Sequence, residues 1–286
     1  MAPRISFSPS SATTLKRRSH ELSISLLSAT LATSACSRRI PVTALEPIKV
    51  AAAADLAFAF DEIGKGYEKT FGQKVVFSFG SSGLLEKQIA DGAPYDVFAA
   101  ADMAFVDDAV RQGACLGATK ALYATGRLAL VTASGISFAP KGIGDLTDRR
   151  VVRIAIANPK HAPYGRAAEQ ALRRSNVWDA VESKLVYGEN VQQALQFVQS
   201  GNAEASLVAL SLAMTSGRPW TLIAAELHDP LNQGLVVCTG GKAGPEAGRR
   251  FESYVRSPDG RDVMRKYGFV LPGESRVDPS PLDAGP

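Results

Sequence analysis

Two hydrophobic periods alternate along the chain, and the places where one gives way to the other organise it. Val75, Phe77 and Phe79 alternate with Val76 and Ser78, the period of a strand. After Gly80-Ser81-Ser82-Gly83 the spacing changes, and Leu84, Leu85, Gln88 and Ile89 recur at helical intervals. This junction predicts a strand over 74–79, a tight turn, and a helix over about 83–91. The turn then sits at a helix N-terminus, where unpaired backbone N–H groups and the positive end of the helix dipole form a socket for a small anion. The plainer reading makes Ser82 an N-cap and nothing more.

The same switch recurs. Ile48–Ala53 reads as a strand, and Leu56, Phe60, Ile63 and Tyr67 mark one face of the helix behind it, with Asp55 at the position of an N-cap. Val97–Ala100 is a buried strand, followed from Asp102 by a helix over 103–112. Later come strands at 127–131, 151–157, 184–187, 205–210 and 235–238. Helices follow Pro163-Tyr164-Gly165 and Asn190, the latter a good N-cap, and two more lie over 247–256 and 259–267. Alternating strands and helices predict an α/β fold with largely parallel sheets, whose ligands bind beyond the carboxyl ends of the strands.

The bulk numbers add little to that pattern. With 286 residues, 45% of them hydrophobic and 21% charged, the chain has room for one large core or two smaller lobes. No apolar run reaches the length of about 18 residues that a membrane span needs. The net charge of +4 is concentrated in the first 35 residues, where Arg4, Lys16, Arg17 and Arg18 stand against Glu21. The remainder is close to neutral and has no basic run, which excludes a nucleic-acid surface.

That basic opening, the short apolar stretch Leu22–Leu31 and the small residues Thr33-Ser34-Ala35 predict an export signal. Cleavage after Ala35 and acylation of Cys36 by a lipoprotein route are both open, although Thr33 is a poor match to the leucine usual before such a cysteine. Cys115 and Cys238 show no metal-ligand spacing and are expected to be small buried residues rather than a disulfide pair. His20, His161 and His228 are too scattered for a zinc site. Asp96 and Asp102 read as strand-end and helix-cap residues, and Trp178 and Trp220 as packing residues.

Several short segments, in order, resemble one family. They are Ala52-Ala53-Ala54-Asp55-Leu56, Gly80-Ser81-Ser82-Gly83, Gly92-Ala93-Pro94-Tyr95-Asp96-Val97-Phe98, Ile156–Gly165 around Asn158-Pro159-Lys160-His161, Gly188-Glu189-Asn190-Val191, and Lys266-Tyr267-Gly268-Phe269. Over roughly 48–272 the chain is similar to the periplasmic molybdate-binding proteins of ABC importers. The resemblance implies a two-lobe α/β periplasmic-binding-protein fold with the ligand in the cleft. Lobe one would be 46–125 plus 231–272 and lobe two 126–230, between an export signal and tether over 1–45 and a polar, Pro-rich tail over 273–286 that is expected to be disordered. Hinges would lie near Thr125-Gly126 and His228–Gln233. It also implies a monomeric, exported binding protein for molybdate or tungstate, with a permease and an ATPase as partners and no cofactor.

By the same resemblance the ligand set is Ala54, Asp55, Ser81, Ser82, Tyr164 and Val191, with no catalytic residue and no directly coordinated metal. The chain departs from the best-known branch at Asp55, where that branch has a serine, and at Ala209, where it has a tyrosine that Tyr164 could replace. Asp55 is the difficult residue, because an ionised carboxylate repels a dianion. Three readings stand: the side chain caps its own helix while its backbone N–H serves the anion; the carboxyl is protonated by burial; or the ligand is another anion, such as an organic acid. A hydrolase built on Ser82, His161 and Asp55 is the rival reading, and Gly-Ser-Ser-Gly lacks the nucleophile-elbow pattern. A regulatory effector domain would need a DNA-binding unit upstream, which 1–45 cannot supply.

Overall fold

A computed structural model of the protein describes residues 45–274. The expected export signal, Cys36 and the tail beyond Glu274 lie outside the described residues. Among those described, no helix is long and apolar enough to cross a membrane.

The chain opens with strand β1 (Ile48–Ala53), a 3-10 turn over Ala54–Leu56 and helix α1 (Ala57–Phe71). Then come β2 (Val75–Gly80), α2 (Ser82–Ala90), β3 (Val97–Ala100), α3 (Met103–Arg111) and β4 (Ala121–Gly126). The second set is β5 (Leu128–Thr132), β6 (Ile154–Ala157), α4 (Pro163–Arg174), α5 (Trp178–Val181), β7 (Leu185–Gly188), α6 (Val191–Gln199), β8 (Ala205–Ala209), α7 (Leu210–Met214) and β9 (Trp220–Leu222). The chain closes with β10 (Leu231–Val237), α8 (Gly244–Val255) and α9 (Pro258–Lys266).

These strands form two five-stranded sheets, ordered β2-β1-β3-β10-β4 and β7-β6-β8-β5-β9. In the first, β1 runs parallel to β2 and β3, while β10 is antiparallel to both β3 and β4. In the second, β6 runs parallel to β7 and β8, and β5 is antiparallel to β8 and β9. Each sheet is therefore a parallel βαβ core extended by antiparallel strands, and together they make the two-lobe α/β fold. The chain leaves the first sheet at Gly126 and enters the second at Leu128, with only Arg127 between. It returns between Leu222 and Leu231.

Seven of the described helices, α1 to α4, α6, α8 and α9, form where the sequence placed them and bury their apolar stripes, while the short α5 and α7 were not foreseen. On α1, Phe60, Ile63 and Tyr67 are almost fully buried, and Gly72 ends the helix in the left-handed conformation at φ 66°. Phe60 and Tyr67 both pack edge-on against Phe251 of α8, so the C-terminal helices complete the first lobe. On α4 the stripe is small, Ala167, Ala168, Ala171 and Leu172, which lets that helix lie close on its sheet. Glu274 is held by Arg261 and Arg265 at 2.8–3.0 Å, so the chain stays ordered past Gly273.

One expectation fails outright. Cys115 and Cys238 are joined by a disulfide, in an antiparallel bridge between the segment after α3 and the end of β10. Both are buried, as expected, but the two residues stand 123 positions apart, and only the fold brings them together.

Candidate oxyanion-binding pocket

Four strand-to-helix junctions meet where the two sheets face each other. Two come from the first lobe, β1 to α1 and β2 to α2. Two come from the second, β6 to α4 and β7 to α6. They line a small pocket, and all six residues of the expected set, Ala54, Asp55, Ser81, Ser82, Tyr164 and Val191, are in its wall. Ala53, Gly80, Ala101, Ala162, Pro163 and Asn190 complete the wall. No lysine, arginine or histidine is among the lining residues. Besides the Asp55 carboxyl and the Asn190 amide, the polar groups of the wall are backbone groups and hydroxyls.

Each junction supplies donors for a local reason. In α6 the Asn190 side chain caps the Gln193 N–H at 3.0 Å, as expected, leaving the N–H of Val191 in the first turn without an intrahelical acceptor. In α4, Pro163 occupies the first helical position, where its missing N–H costs nothing. The next residue, Tyr164, has its N–H in the unpaired first turn.

At α2 the two serines divide the work. The Ser82 hydroxyl does not cap its helix. Its oxygen accepts the Ala101 N–H at 3.0 Å, so its own proton is left to donate. Ser82 is only 1% exposed, and that proton has the pocket before it. Ser81 faces the other lobe: its hydroxyl donates to the His161 carbonyl at 2.6 Å, and its oxygen lies 2.8 Å from His161 Nδ1. With the serine proton used, that second contact requires the hydrogen on Nδ1. The Gly83 N–H donates to the same carbonyl at 3.0 Å. A β-carbon on Gly83 would stand 2.9 Å from that oxygen, so only glycine permits this approach. Nearby, Asp102 caps α3 through the Ala104 N–H and forms an ion pair with Arg166 of α4 at 2.5 Å. Three contacts thus join the lobes at the pocket's edge.

Asp55 behaves unlike the expectation of a helix cap. Its carboxylate turns into the strands that connect the lobes, and Oδ2 accepts from Gln233 Nε2 of β10 at 2.5 Å. The Gln233 amide is oriented by the Tyr123 hydroxyl of β4, which donates to Oε1 at 2.8 Å. Gln233 Nε2 also lies 3.3 Å from the Tyr164 hydroxyl. The Asp55 carbonyl accepts from Ser211 Oγ at 2.7 Å, while carboxylate Oδ1 has no partner. Burial pushes the Asp55 carboxyl up to about 6, against the pull of the Gln233 and Tyr164 hydrogen bonds. Burial, then the nearby Asp55 charge, holds the Tyr164 and Tyr123 phenols well above the usual tyrosine range.

The hydrolase constellation is not assembled. His161 engages Ser81, Asp55 engages Gln233, and Ser82 takes its bond from Ala101. Asp96 is structural as expected, accepting from the backbone of Lys49, Ala243 and Gly244 at 2.8–3.2 Å. Sequence reasoning missed Gln233 and Tyr123, which stand behind the pocket on strands with no motif around them.

Residues 48–270 match the family model described as bacterial extracellular solute-binding protein. The chain is 36% identical over 233 residues to the molybdate-binding protein ModA of Azotobacter vinelandii, covering 78% of this chain and 90% of the relative. It is 34% identical over 233 residues to ModA of Rhodobacter capsulatus, covering 81% and 90%. The solved structure of the Azotobacter vinelandii periplasmic molybdate-binding protein superposes with a TM-score of 0.72 at 29% identity, covering 79% of this chain and 99% of that one. With this agreement over nearly the whole described region, the chain belongs to the bacterial extracellular solute-binding proteins, a family of binding proteins rather than enzymes, alongside its molybdate-binding relatives.

Proposed function

We propose that this protein captures a tetrahedral oxyanion, molybdate or its congener tungstate, outside the cytoplasm and delivers it to the permease and ATPase of an ABC importer. The observation that carries this reading is the convergence of four helix N-termini and the Ser82 hydroxyl on one small pocket whose lining has no cationic side chain. Fixed dipoles replace the water shell of the anion, and the shape of the pocket selects by size. The Cys115–Cys238 disulfide supports an oxidising, extracytoplasmic location.

Capture works by hinge closure. The lobes are linked through Arg127 and through the segment 223–230, and the Ser81–His161, Gly83–His161 and Asp102–Arg166 contacts form as the cleft shuts. The test is calorimetry of the purified protein with molybdate, tungstate and sulfate. Tight binding of the first two with weak sulfate binding, lost in Ser82→Ala, is the expected result. No heat with either metal oxyanion would overturn the reading.

A further inference from the structure

Resting on the oxyanion reading of the pocket, we infer that Asp55 is the proton acceptor of this site: each oxyanion is captured together with one proton, which resides on the Asp55 carboxyl. The inference stands on how the carboxylate is held. Asp55 lines the pocket and is 1% exposed, yet its two oxygens are treated differently. Oδ2 faces an N–H donor, Gln233 Nε2, whose orientation the Tyr123 hydroxyl fixes from the far side. A proton on Oδ2 would collide with that donor, and turning the amide to receive it would also force the Tyr123 bond to reverse. Oδ1 has no hydrogen-bond partner and is the open position.

No cationic side chain lines the pocket, and the carboxylate is met by the neutral hydrogen-bond partners Gln233 and Tyr164. Among the elements packed on Asp55, β4 presents Tyr123, α4 presents Tyr164 and β10 presents Gln233. The sequences of β2, α6 and α7 contain no titratable residue at all. α1 carries Asp61, Glu62, Lys65, Glu68 and Lys69, and the buried Arg127 follows β4, but the groups that act on the Asp55 carboxyl are the neutral Gln233, Tyr164 and backbone, with both phenols protonated. Its carboxyl is already pushed up to about 6 by burial.

An oxyanion entering the same pocket brings a second negative charge to a site with no cation. Two like charges in one desolvated space raise the proton affinity of the stronger base, here the buried carboxylate. One proton passes from solvent to Oδ1, and the only bond formed is that O–H. The carboxyl then presents a donor instead of a repelling charge. The association constant consequently falls by up to about tenfold per pH unit above the free carboxyl's range.

The experiment is calorimetric titration of the intact protein with molybdate at about pH 7.5 in a series of buffers of different ionisation enthalpy. The slope of observed heat against buffer enthalpy counts protons. The expected result is about one proton taken up per oxyanion, decreasing as the pH is lowered below about 6, and none in Asp55→Asn. Normal binding heat with no proton uptake overturns the inference and leaves the oxyanion site standing. An uptake unchanged in Asp55→Asn overturns it as well. No heat at all overturns the oxyanion reading beneath it. The native slope and its pH course decide the matter even if Asp55→Asn fails to fold.

Discussion

The hydroxyl of Tyr164, on the first turn of α4, occupies the space where a β-carbon on Gly126 would stand, at the last residue of β4 before the crossing. The phenol of one lobe is thus seated against the strand that connects both. Gly126→Ala would also press on Gln233 Nε2, 3.0 Å from the new carbon. Overpacking of this kind costs about 1–3 kcal/mol, so a clear fall in melting temperature is expected. Pairing it with Tyr164→Phe should recover part of the loss. An unchanged melting temperature in the single variant would show that the crossing strand yields freely.

Ser82→Ala removes the hydroxyl aimed at the pocket and also strands the Ala101 N–H, which has that oxygen as its acceptor. Leaving a buried donor unpaired costs about 1–3 kcal/mol in stability. A comparable loss is expected in oxyanion affinity, about tenfold or more by calorimetry. Equal affinity in the variant would move the site elsewhere in the cleft.

Ser81→Ala should act differently, because its proton is spent on the His161 carbonyl across the cleft. The Gly83 N–H still covers that oxygen. A smaller loss of about 0.5–1.5 kcal/mol is expected, in the dissociation rate rather than the association rate. Stopped-flow release of the oxyanion would measure it, and a loss as large as that of Ser82→Ala would make Ser81 a direct ligand.

Asp55 should also shape stability against pH. Its folded-state carboxyl, raised from 3.8 to about 6, binds a proton more tightly than the unfolded chain does. Between those values the native state holds more protons, so this group's contribution to stability declines as the pH rises from about 4 through 6. The full loss is on the order of 3 kcal/mol. Asp55→Asn should flatten that part of the profile and be relatively more stable near neutrality. Denaturant melts of the ligand-free protein at a series of pH values would show it. A parallel profile in the two proteins would mean the carboxyl is better solvated than its burial indicates.

The strand-to-helix junctions were legible because each changes hydrophobic period at a turn, and those junctions are the pocket. The cap at Asn190 was legible for the same reason. β4 was not, since Ala121-Leu122-Tyr123-Ala124-Thr125-Gly126 has no clean alternation and is held by its long-range pairing with β10. The Gln233–Asp55 bond spans 178 residues and the disulfide 123, and neither leaves a local trace. Asp55 resembled an N-cap by position, but a buried amide across the fold was the stronger local partner. His161 stood in the sequence only among three scattered histidines and in the rival hydrolase reading, and its role depends on a carbonyl and a ring nitrogen meeting a serine 80 positions away.

Seen as covalent topology, the bond between Cys115 and Cys238 closes the chain into a ring. Everything from Leu116 to Val237 belongs to that ring, including both crossings and all of the second sheet. The second lobe therefore hangs as a pendant from a clasp located in the first. A protease that cuts once anywhere in the pendant creates two new ends but releases no fragment, and the severed halves stay tethered until the clasp is reduced.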